Sequence, residues 1–264
     1  MPLIRTLLFL IFQAVTVVPF GIGCLLIAPL PLHMRYAFTI RWPRLVLWGA
    51  RVILGIRWQV KGWENLPDAP VVLLSKHQST WETLFFVAYA PREVCFVFKR
   101  ELLYLPFFGW GIGLLNMIHI DRSQGRDAFE SVVAQGQRKL DEGRSIVMFP
   151  EGTRIPVGKQ GQYKSGGARL AIRTGAPIVP IAVNSGHCWP KKPIIKSPGL
   201  ITVSVGPAIQ TANRRPDEVN GEVMNWIESE MRRIDPDAYR DTPGDTPGDT
   251  PGNNPAGAMR EATT

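Results

Sequence analysis

The sequence predicts an α/β fold in which a largely parallel or mixed central sheet is flanked by helices and preceded by an N-terminal helical membrane anchor. Short segments typical of strands recur along the middle of the chain and alternate with segments of helical periodicity, which is the pattern of a sheet covered by helices. Residues 6–32 carry no charged side chain. The 264 residues suffice for one sizeable domain and an appendage.

The N-terminal apolar segment is long enough to cross a hydrocarbon core of about 30 Å. Pro19, Gly21 and Gly23 interrupt it near the middle, so a straight spanning helix and a bent hairpin in one leaflet remain alternatives. The apolar run exceeds the usual length in a signal peptide, and no small-residue cleavage site closes it. We therefore expect residues 1–54 to form membrane-anchoring helices.

Basic residues follow this segment at once. If the segment spans, the positive-inside bias places the rest of the chain in the cytoplasm. A helix predicted from Pro43 to Leu54 puts Leu45, Trp48 and Val52 on one face. Such a helix either lies on an anionic membrane surface or packs on the domain as an ordinary amphipathic helix. The basic residues are Arg35, Arg41, Arg44, Arg51, Arg57 and Lys61.

Residues 55–240 make up the predicted α/β domain. Ile56, Trp58 and Val60 alternate with polar neighbours, as in a half-buried edge strand. The tail, residues 241–264, contains Asp-Thr-Pro-Gly three times in succession, and we expect it to be disordered because this composition cannot bury a core. Further strands are predicted at 71–74, 94–98, 117–120, 146–149, 177–183 and 201–205, and helices near 80–90, 126–142 and 163–174.

Composition narrows the class of partner. The formal net charge is +8 and the sequence pI is about 9.7, which attracts polyanions. We expect no nucleic-acid partner, because the basic residues are spread through an apolar chain without a zinc-finger or RNA-binding signature. Cys24, Cys95 and Cys188 are widely spaced, so neither a disulfide framework nor a metal site is indicated. A membrane lipid is the better candidate.

The first chemical motif follows the predicted strand at 71–74. His77 stands five positions ahead of Glu82, so an imidazole base and an orienting carboxylate can meet at a strand-to-helix turn. Ser79-x-x-Glu82 also fits a capping box, in which the carboxylate satisfies backbone N–H groups of the first turn. Both roles remain open for Glu82.

Three further motifs extend this pattern. The chain continues as Lys99-x2-Leu102-x6-Gly109-x12-Arg122, then as Glu151-Gly152-Thr153-Arg154, and then as an apolar strand over 176–181. The four motifs in this order resemble those of the glycerolipid acyltransferases, and most closely the 1-acyl-sn-glycerol-3-phosphate acyltransferases. The resemblance covers roughly residues 55–210. That family more usually has Asp where this chain has Glu82, which is one methylene longer.

The resemblance implies a function, and it assigns residues 55–240 as the catalytic domain. A fatty acyl group passes from a thioester to the sn-2 hydroxyl of lysophosphatidic acid, giving phosphatidic acid in phospholipid biosynthesis. His77 is then the general base, oriented by Glu82. No cofactor is implied, since acyl-CoA or acyl-acyl carrier protein is a co-substrate. The expected location is the cell membrane, with the catalytic domain on its cytoplasmic face. The implied substrate-binding residues are Lys99, Arg122, Glu151, Gly152, Thr153 and Arg154.

Several alternatives remain. The acceptor can be another lysophospholipid or a lyso-ornithine lipid, and a noncatalytic anionic-lipid-binding protein or a thioesterase needs many of the same groups. Arg122 can instead form a strand-end salt bridge with Asp121 or Glu151. The apolar, glycine-rich run at 107–113 either lines an acyl-chain tunnel or serves tight core packing.

Overall fold

The computed structural model describes residues 2–120 and 125–240, so the predicted disordered tail lies outside the described part. One sheet organises it, with the strand order β1-β7-β6-β2-β5-β3-β4. The strands from β6 to β4 are parallel to one another, whereas β7 is antiparallel to β6 and parallel to β1. The predicted mixed sheet is confirmed. The strands are β1 (Ile56–Lys61), β2 (Val72–Ser75), β3 (Val94–Lys99), β4 (Ile118–Ile120), β5 (Ser145–Met148), β6 (Ile178–Val183) and β7 (Gly199–Val205).

The position of each strand explains its sequence pattern. β1 lies at one edge of the sheet, where its residues alternate between covered and exposed, as predicted for Ile56, Trp58 and Val60. The central strands β2 and β6 are buried along their whole length, because helices cover both faces of the sheet. Leu73 belongs to the core on one face and Leu74 to the core on the other, since successive side chains of a strand point to opposite sides.

Eight α-helices are described. Helices α4, α6 and α7 were predicted, whereas α8 was not, although its apolar residues recur every four positions at Val219, Val223, Ile227 and Met231. The helices are α1 (Pro2–Leu26), α2 (Leu32–Thr39), α3 (Arg41–Gly49), α4 (Trp81–Tyr89), α5 (Phe108–Leu114), α6 (Gly125–Asp141), α7 (Gly166–Thr174) and α8 (Pro216–Ile234).

Helix α1 is continuous through Pro19 and the two glycines that follow it. The glycines allow close packing, since a Cβ at Gly21 would lie 2.7 Å from the Phe107 Cβ and one at Gly23 would lie 2.6 Å from the Phe38 ring. In the described part of the chain, α1 is the helix that is long and apolar enough to cross a membrane. One side of it is buried on the domain, and the opposite side exposes apolar residues such as Ile11 and Val15.

The helix predicted from Pro43 to Leu54 is present as α3 followed by a π-helical turn, Ala50–Leu54. Its two sides have different neighbours. Val46 and Leu47 are fully buried in the core, whereas Trp48 and Val52 are 55% and 61% exposed. The predicted apolar face with Trp48 therefore points outward, and a second apolar face, which the sequence analysis did not identify, packs on the domain.

Candidate active site

Adjacent parallel strands bring three loops to one edge of the sheet. Strands β6, β2 and β5 are neighbours, and their carboxyl ends precede Ser185, His77 and Glu151 respectively. This edge is where open α/β sheets place ligands. β3, the next strand, ends at Lys99. The side chain of Lys99 and the whole of Arg122 lie outside the part of the chain that the structure describes, so the phosphate contacts predicted for them stay predictions.

The His77 peptide is held on both sides by the loop that follows β5. Its N–H donates to Glu151 Oε2 at 2.9 Å, and its carbonyl accepts from the Ile155 N–H at 2.8 Å. The imidazole stacks on the Phe149 ring, with 3.9 Å between the ring centroids and an interplanar angle of 15°. The side chain is 16% exposed. His77 is thus a fixed imidazole that retains access to its surroundings.

The Glu82 carboxylate combines the two roles that the sequence left open. Its oxygens accept the Gln78 N–H at 2.9 Å, the Ser79 N–H at 3.0 Å and the Ser79 hydroxyl at 3.1 Å, which is a capping arrangement at the start of α4. Oε2 also lies 3.7 Å from His77 Nδ1. That distance exceeds a hydrogen bond, but catalytic hydrogen bonds commonly tighten when substrate binds.

Ser185 was not identified from the sequence. Its hydroxyl donates to Glu82 Oε1 at 2.5 Å, and both side chains are fully buried. The neighbouring Gly186 N–H donates to the Gln78 side-chain carbonyl at 3.0 Å. The loop after β6 therefore supports the carboxylate from the side opposite α4, a contact between residues 103 positions apart that no local pattern marks.

Glu151 lies inside the protein. Its side chain is fully buried, and Oε1 lies 2.8 Å from the Lys76 ammonium. Burial raises the pKa of the Glu151 carboxyl, and the Lys76 charge opposes this shift. Both carboxylate oxygens of Glu151 contact protein groups, and the acceptor-loop role expected for this residue stays a prediction.

The remaining residues of this motif lie at the surface. Gly152 has a φ of +67°, a conformation that favours glycine, and a Cβ there would meet Lys164 Nζ at 3.0 Å. Arg154 donates to the Thr80 hydroxyl at 3.1 Å, and Thr153 accepts from Lys191 Nζ at 3.3 Å. The three cations Arg154, Lys164 and Lys191 pair with no carboxylate among the residues that the structure describes. Lys164 and Lys191 had not been predicted as site residues.

An apolar cavity of about 380 Å³ adjoins His77. Its size is typical of a site for a small ligand. Phe107, Phe108, Gly111 and Ile112 of the run at 107–113 line the cavity, whereas Gly109 packs against the backbone of Leu102 and Leu103. The acyl-chain role of this run stays a prediction. Other lining residues include Val17, Phe20, Gly21, Cys24, Trp42, Thr80, Leu84, Phe96, Phe149 and Gly152.

The described residues contain no group of three or more His, Cys, Asp or Glu side chains that could hold a metal ion. Burial raises the pKa of the Cys95 thiol to about 12 and that of the Cys188 thiol to about 11. Neither cysteine is therefore a thiolate at neutral pH. His77, after the end of β2, carries an imidazole, the side-chain type that most often serves in general acid–base catalysis.

Comparisons with known proteins find relatives over most of the chain. A family model for acyltransferases matches residues 57–184. The 1-acyl-sn-glycerol-3-phosphate acyltransferase of Pseudomonas aeruginosa is 44% identical over 238 residues, covering 88% of this chain and 92% of that protein. The 1-acyl-sn-glycerol-3-phosphate acyltransferase alpha of Mus musculus is 34% identical over 179 residues, covering 67% of this chain and 63% of that protein.

A solved structure supports the same fold. The crystal structure of the 1-acyl-sn-glycerophosphate (LPA) acyltransferase PlsC from Thermotoga maritima superposes with a TM-score of 0.70 at 23% identity, covering 88% of this chain and 95% of that one. The resemblance found in the sequence is confirmed by the extent and identity of the matches to relatives. The chain belongs to the family of 1-acyl-sn-glycerol-3-phosphate acyltransferases.

Proposed function

We propose that this enzyme transfers a fatty acyl group from an acyl thioester to the sn-2 hydroxyl of lysophosphatidic acid, giving phosphatidic acid for phospholipid biosynthesis. One observation carries the proposal: His77 lies where an apolar cavity meets a loop whose Arg154 and Lys164 pair with no carboxylate among the described residues. Lysophosphatidic acid has an apolar chain, a hydroxyl and an anionic phosphate. The site offers a matching group for each.

His77 acts as the general base. The Glu82 carboxylate near Nδ1 favours the tautomer with a proton on that nitrogen, which leaves the Nε2 lone pair to accept the proton of the attacking hydroxyl. A C–O bond forms at the thioester carbonyl and the C–S bond breaks. The thiolate is a good leaving group and needs little help from an acid. Glu82 stabilises the imidazolium as it forms.

Cations bind the acceptor phosphate. Arg154 adjoins Thr80 beside His77, and its planar guanidinium can contact two phosphate oxygens at once. Lys164, whose ammonium lies against Gly152, adds a second positive charge. Lys99 and Arg122 are further candidates by resemblance to the family, and Gly152 and Thr153 shape the loop between the cations.

The acyl donor is acyl-CoA or acyl-acyl carrier protein, and no cofactor takes part. The cavity beside His77 is the proposed site for the acyl chain, because its walls are largely apolar. Residues 55–240 form the proposed catalytic domain, and helices within residues 1–54 supply one wall of the cavity.

The enzyme is proposed to act at the cell membrane, from its cytoplasmic face. The exposed side of α1 supplies the apolar contact, and the outward-facing Trp48 suits the interface. Phe9 near one end of α1 contacts Trp189, and Gly21 near the other end packs against Phe107, so both ends of the helix contact the same domain. Because a spanning helix would draw that domain into the bilayer, this packing favours α1 lying within one leaflet.

Purified enzyme assayed with radiolabelled acyl-CoA and a panel of lysolipids tests the proposal. We expect phosphatidic acid from lysophosphatidic acid, and less product from other lysophospholipids or lyso-ornithine lipid. Arg154→Ala should raise the KM for lysophosphatidic acid and leave a neutral monoacylglycerol acceptor unaffected. Equal losses with both acceptors would remove the phosphate role, and release of free fatty acid alone would indicate a thioesterase.

A further inference from the structure

A cluster of buried charges adjoins the loop that carries His77, and its members take no part in the proposed acyl transfer. Lys76 is fully buried, and its ammonium lies 2.8 Å from Glu151 Oε1 and 2.7 Å from Glu228 Oε1 on α8. The Tyr163 hydroxyl donates to the same Glu228 oxygen at 2.7 Å. Removing such ions from water costs several kcal/mol for each ion, and apolar residues often fill such a space as well or better. The cluster therefore calls for an explanation other than stability.

The position of the cluster supplies one. Lys76 directly precedes His77, and its ammonium also donates to the Lys159 carbonyl at 3.1 Å. Glu151 links the cluster to the base, because its second oxygen accepts the His77 N–H. Together with the bond from the Ile155 N–H to the His77 carbonyl, these contacts join the loop of the base to residues 151–159.

We propose that Glu151 is a positioning residue for His77 and not a ligand of the acceptor, and that Lys76 and Glu228 hold its carboxylate in place. The inference rests on the proposed function, since it assigns His77 as the base. Both Glu151 oxygens are directed at protein groups, and its side chain is fully buried. An anion there would also repel a phosphate, so a contact with the acceptor would oppose binding.

The expected effect is on turnover more than on binding. Displacing a reacting group by about 1 Å can lower a rate about 10²-fold. Glu151→Ala removes the acceptor of the His77 N–H, and Lys76→Met leaves two buried carboxylates without their shared cation. We expect both variants to lose about 10²-fold in kcat, with the KM for lysophosphatidic acid little changed. Glu151→Gln should recover part of the loss, because its amide oxygen can accept the His77 N–H.

A matched control separates positioning from plain loss of stability. Lys139 is also largely buried and pairs with Glu142 at 3.0 Å, on α6 outside the site. Lys139→Met removes a largely buried ammonium whose partner, Glu142, is 41% exposed, so it should lower the melting temperature yet leave kcat near the wild-type value. Glu228→Gln is a milder variant for use if Lys76→Met does not fold, since it keeps an oxygen for Tyr163 and removes the charge that faces Lys76.

A second measurement does not depend on turnover. The rate at which diethyl pyrocarbonate modifies His77, followed by mass spectrometry of the peptide, reports the fixed position and access of the ring. We expect it to increase in Glu151→Ala, Lys76→Met and Glu228→Gln and to stay unchanged in Lys139→Met. A raised KM with normal kcat in Glu151→Ala, or an unchanged modification rate, would overturn the inference. Failure of the wild type to acylate lysophosphatidic acid would instead refute the proposed function. The modification rates would still test whether Glu151 positions His77.

Discussion

Replacing Glu82 with glutamine separates the two roles of this carboxylate. Glutamine is nearly isosteric and can serve in a capping box. Its carbonyl oxygen can take the place of Oε1, which accepts the N–H groups of Gln78 and Ser79 and the hydroxyl of Ser185. Its NH₂ group then takes the place of Oε2, which lies 3.7 Å from His77 Nδ1, so the hydrogen bonds that Oε2 accepts from the Ser79 N–H and hydroxyl are lost. The cap is largely kept, and the charge opposite the base is lost.

The two effects differ in size. Exchanging charge-assisted hydrogen bonds for neutral ones is expected to cost about 1–2 kcal/mol of stability. For a chain of this length, each kcal/mol lowers the melting temperature by about 2–4 °C. An amide NH₂ facing Nδ1 favours the wrong imidazole tautomer, so the rate should fall by about 10²–10⁴-fold, which is the usual worth of a general base. This corresponds to about 3–5 kcal/mol of activation free energy.

The assay compares kcat with lysophosphatidic acid and the melting temperature for three proteins. His77→Ala gives the residual activity of an enzyme without the proposed base. Glu82→Asp keeps the charge and the acid that is commoner in the family, so it should retain substantial activity despite a weaker cap. A Glu82→Gln enzyme with near-normal kcat and a lowered melting temperature would refute the reasoning and leave Glu82 as a helix cap only.

Three further perturbations test the cavity, the membrane face and a pH-dependent contact. Gly111→Leu fills the cavity wall without a clash at Cβ, where the nearest atom is 3.6 Å away, so acyl transfer should shift to shorter chains in a donor competition assay. Ile11→Glu places a charge on the exposed side of α1 and should weaken sedimentation with anionic vesicles. The hydrogen bond with Asp235 raises the pKa of His187, so this pair stabilises the fold below the unfolded pKa of about 6.5 and loses that contribution as pH rises through the folded pKa. Asp235→Asn should therefore reduce the free energy of unfolding more at about pH 5.5 than at about pH 8.5, by at most about 1 kcal/mol because His187 is half-exposed. The melting temperature should fall further at the lower pH.

Each of these three perturbations has a control variant or a control condition. Gly113→Leu lies on the same helix as Gly111 but outside the cavity wall, so an equal change in chain-length preference would count against the cavity assignment. Leu200→Glu alters a half-exposed apolar residue of β7, and an equal loss of vesicle binding would show that α1 has no special part. Equal stability losses for Asp235→Asn at both pH values would exclude protonation of His187 as the cause.

The sequence predicted the sheet and the position of His77, because both depend on local patterns. Apolar runs marked the strands, and the strand ends predicted where His77 would lie. Contacts between residues that are far apart in the sequence are not marked by any local pattern. Lys76 and Glu228 are 152 positions apart, and nothing near either residue indicates the other. An isolated glycine weakens a helix, so the sequence predicts an interruption at Gly21. In the structure Gly21 instead allows the helix to pack tightly against Phe107.

Helix α1 presents one side to the surroundings and forms part of the cavity wall with the other, through Val17, Phe20, Gly21 and Cys24. A lipid tail that moves from the bilayer past this helix exchanges one hydrocarbon environment for another. Extraction through water would instead cost about 0.8 kcal/mol for each methylene. On the proposed membrane placement, capture of lysophosphatidic acid is therefore expected to depend on its mole fraction in the bilayer, so that diluting it with inert lipid slows the enzyme even when its total concentration is unchanged.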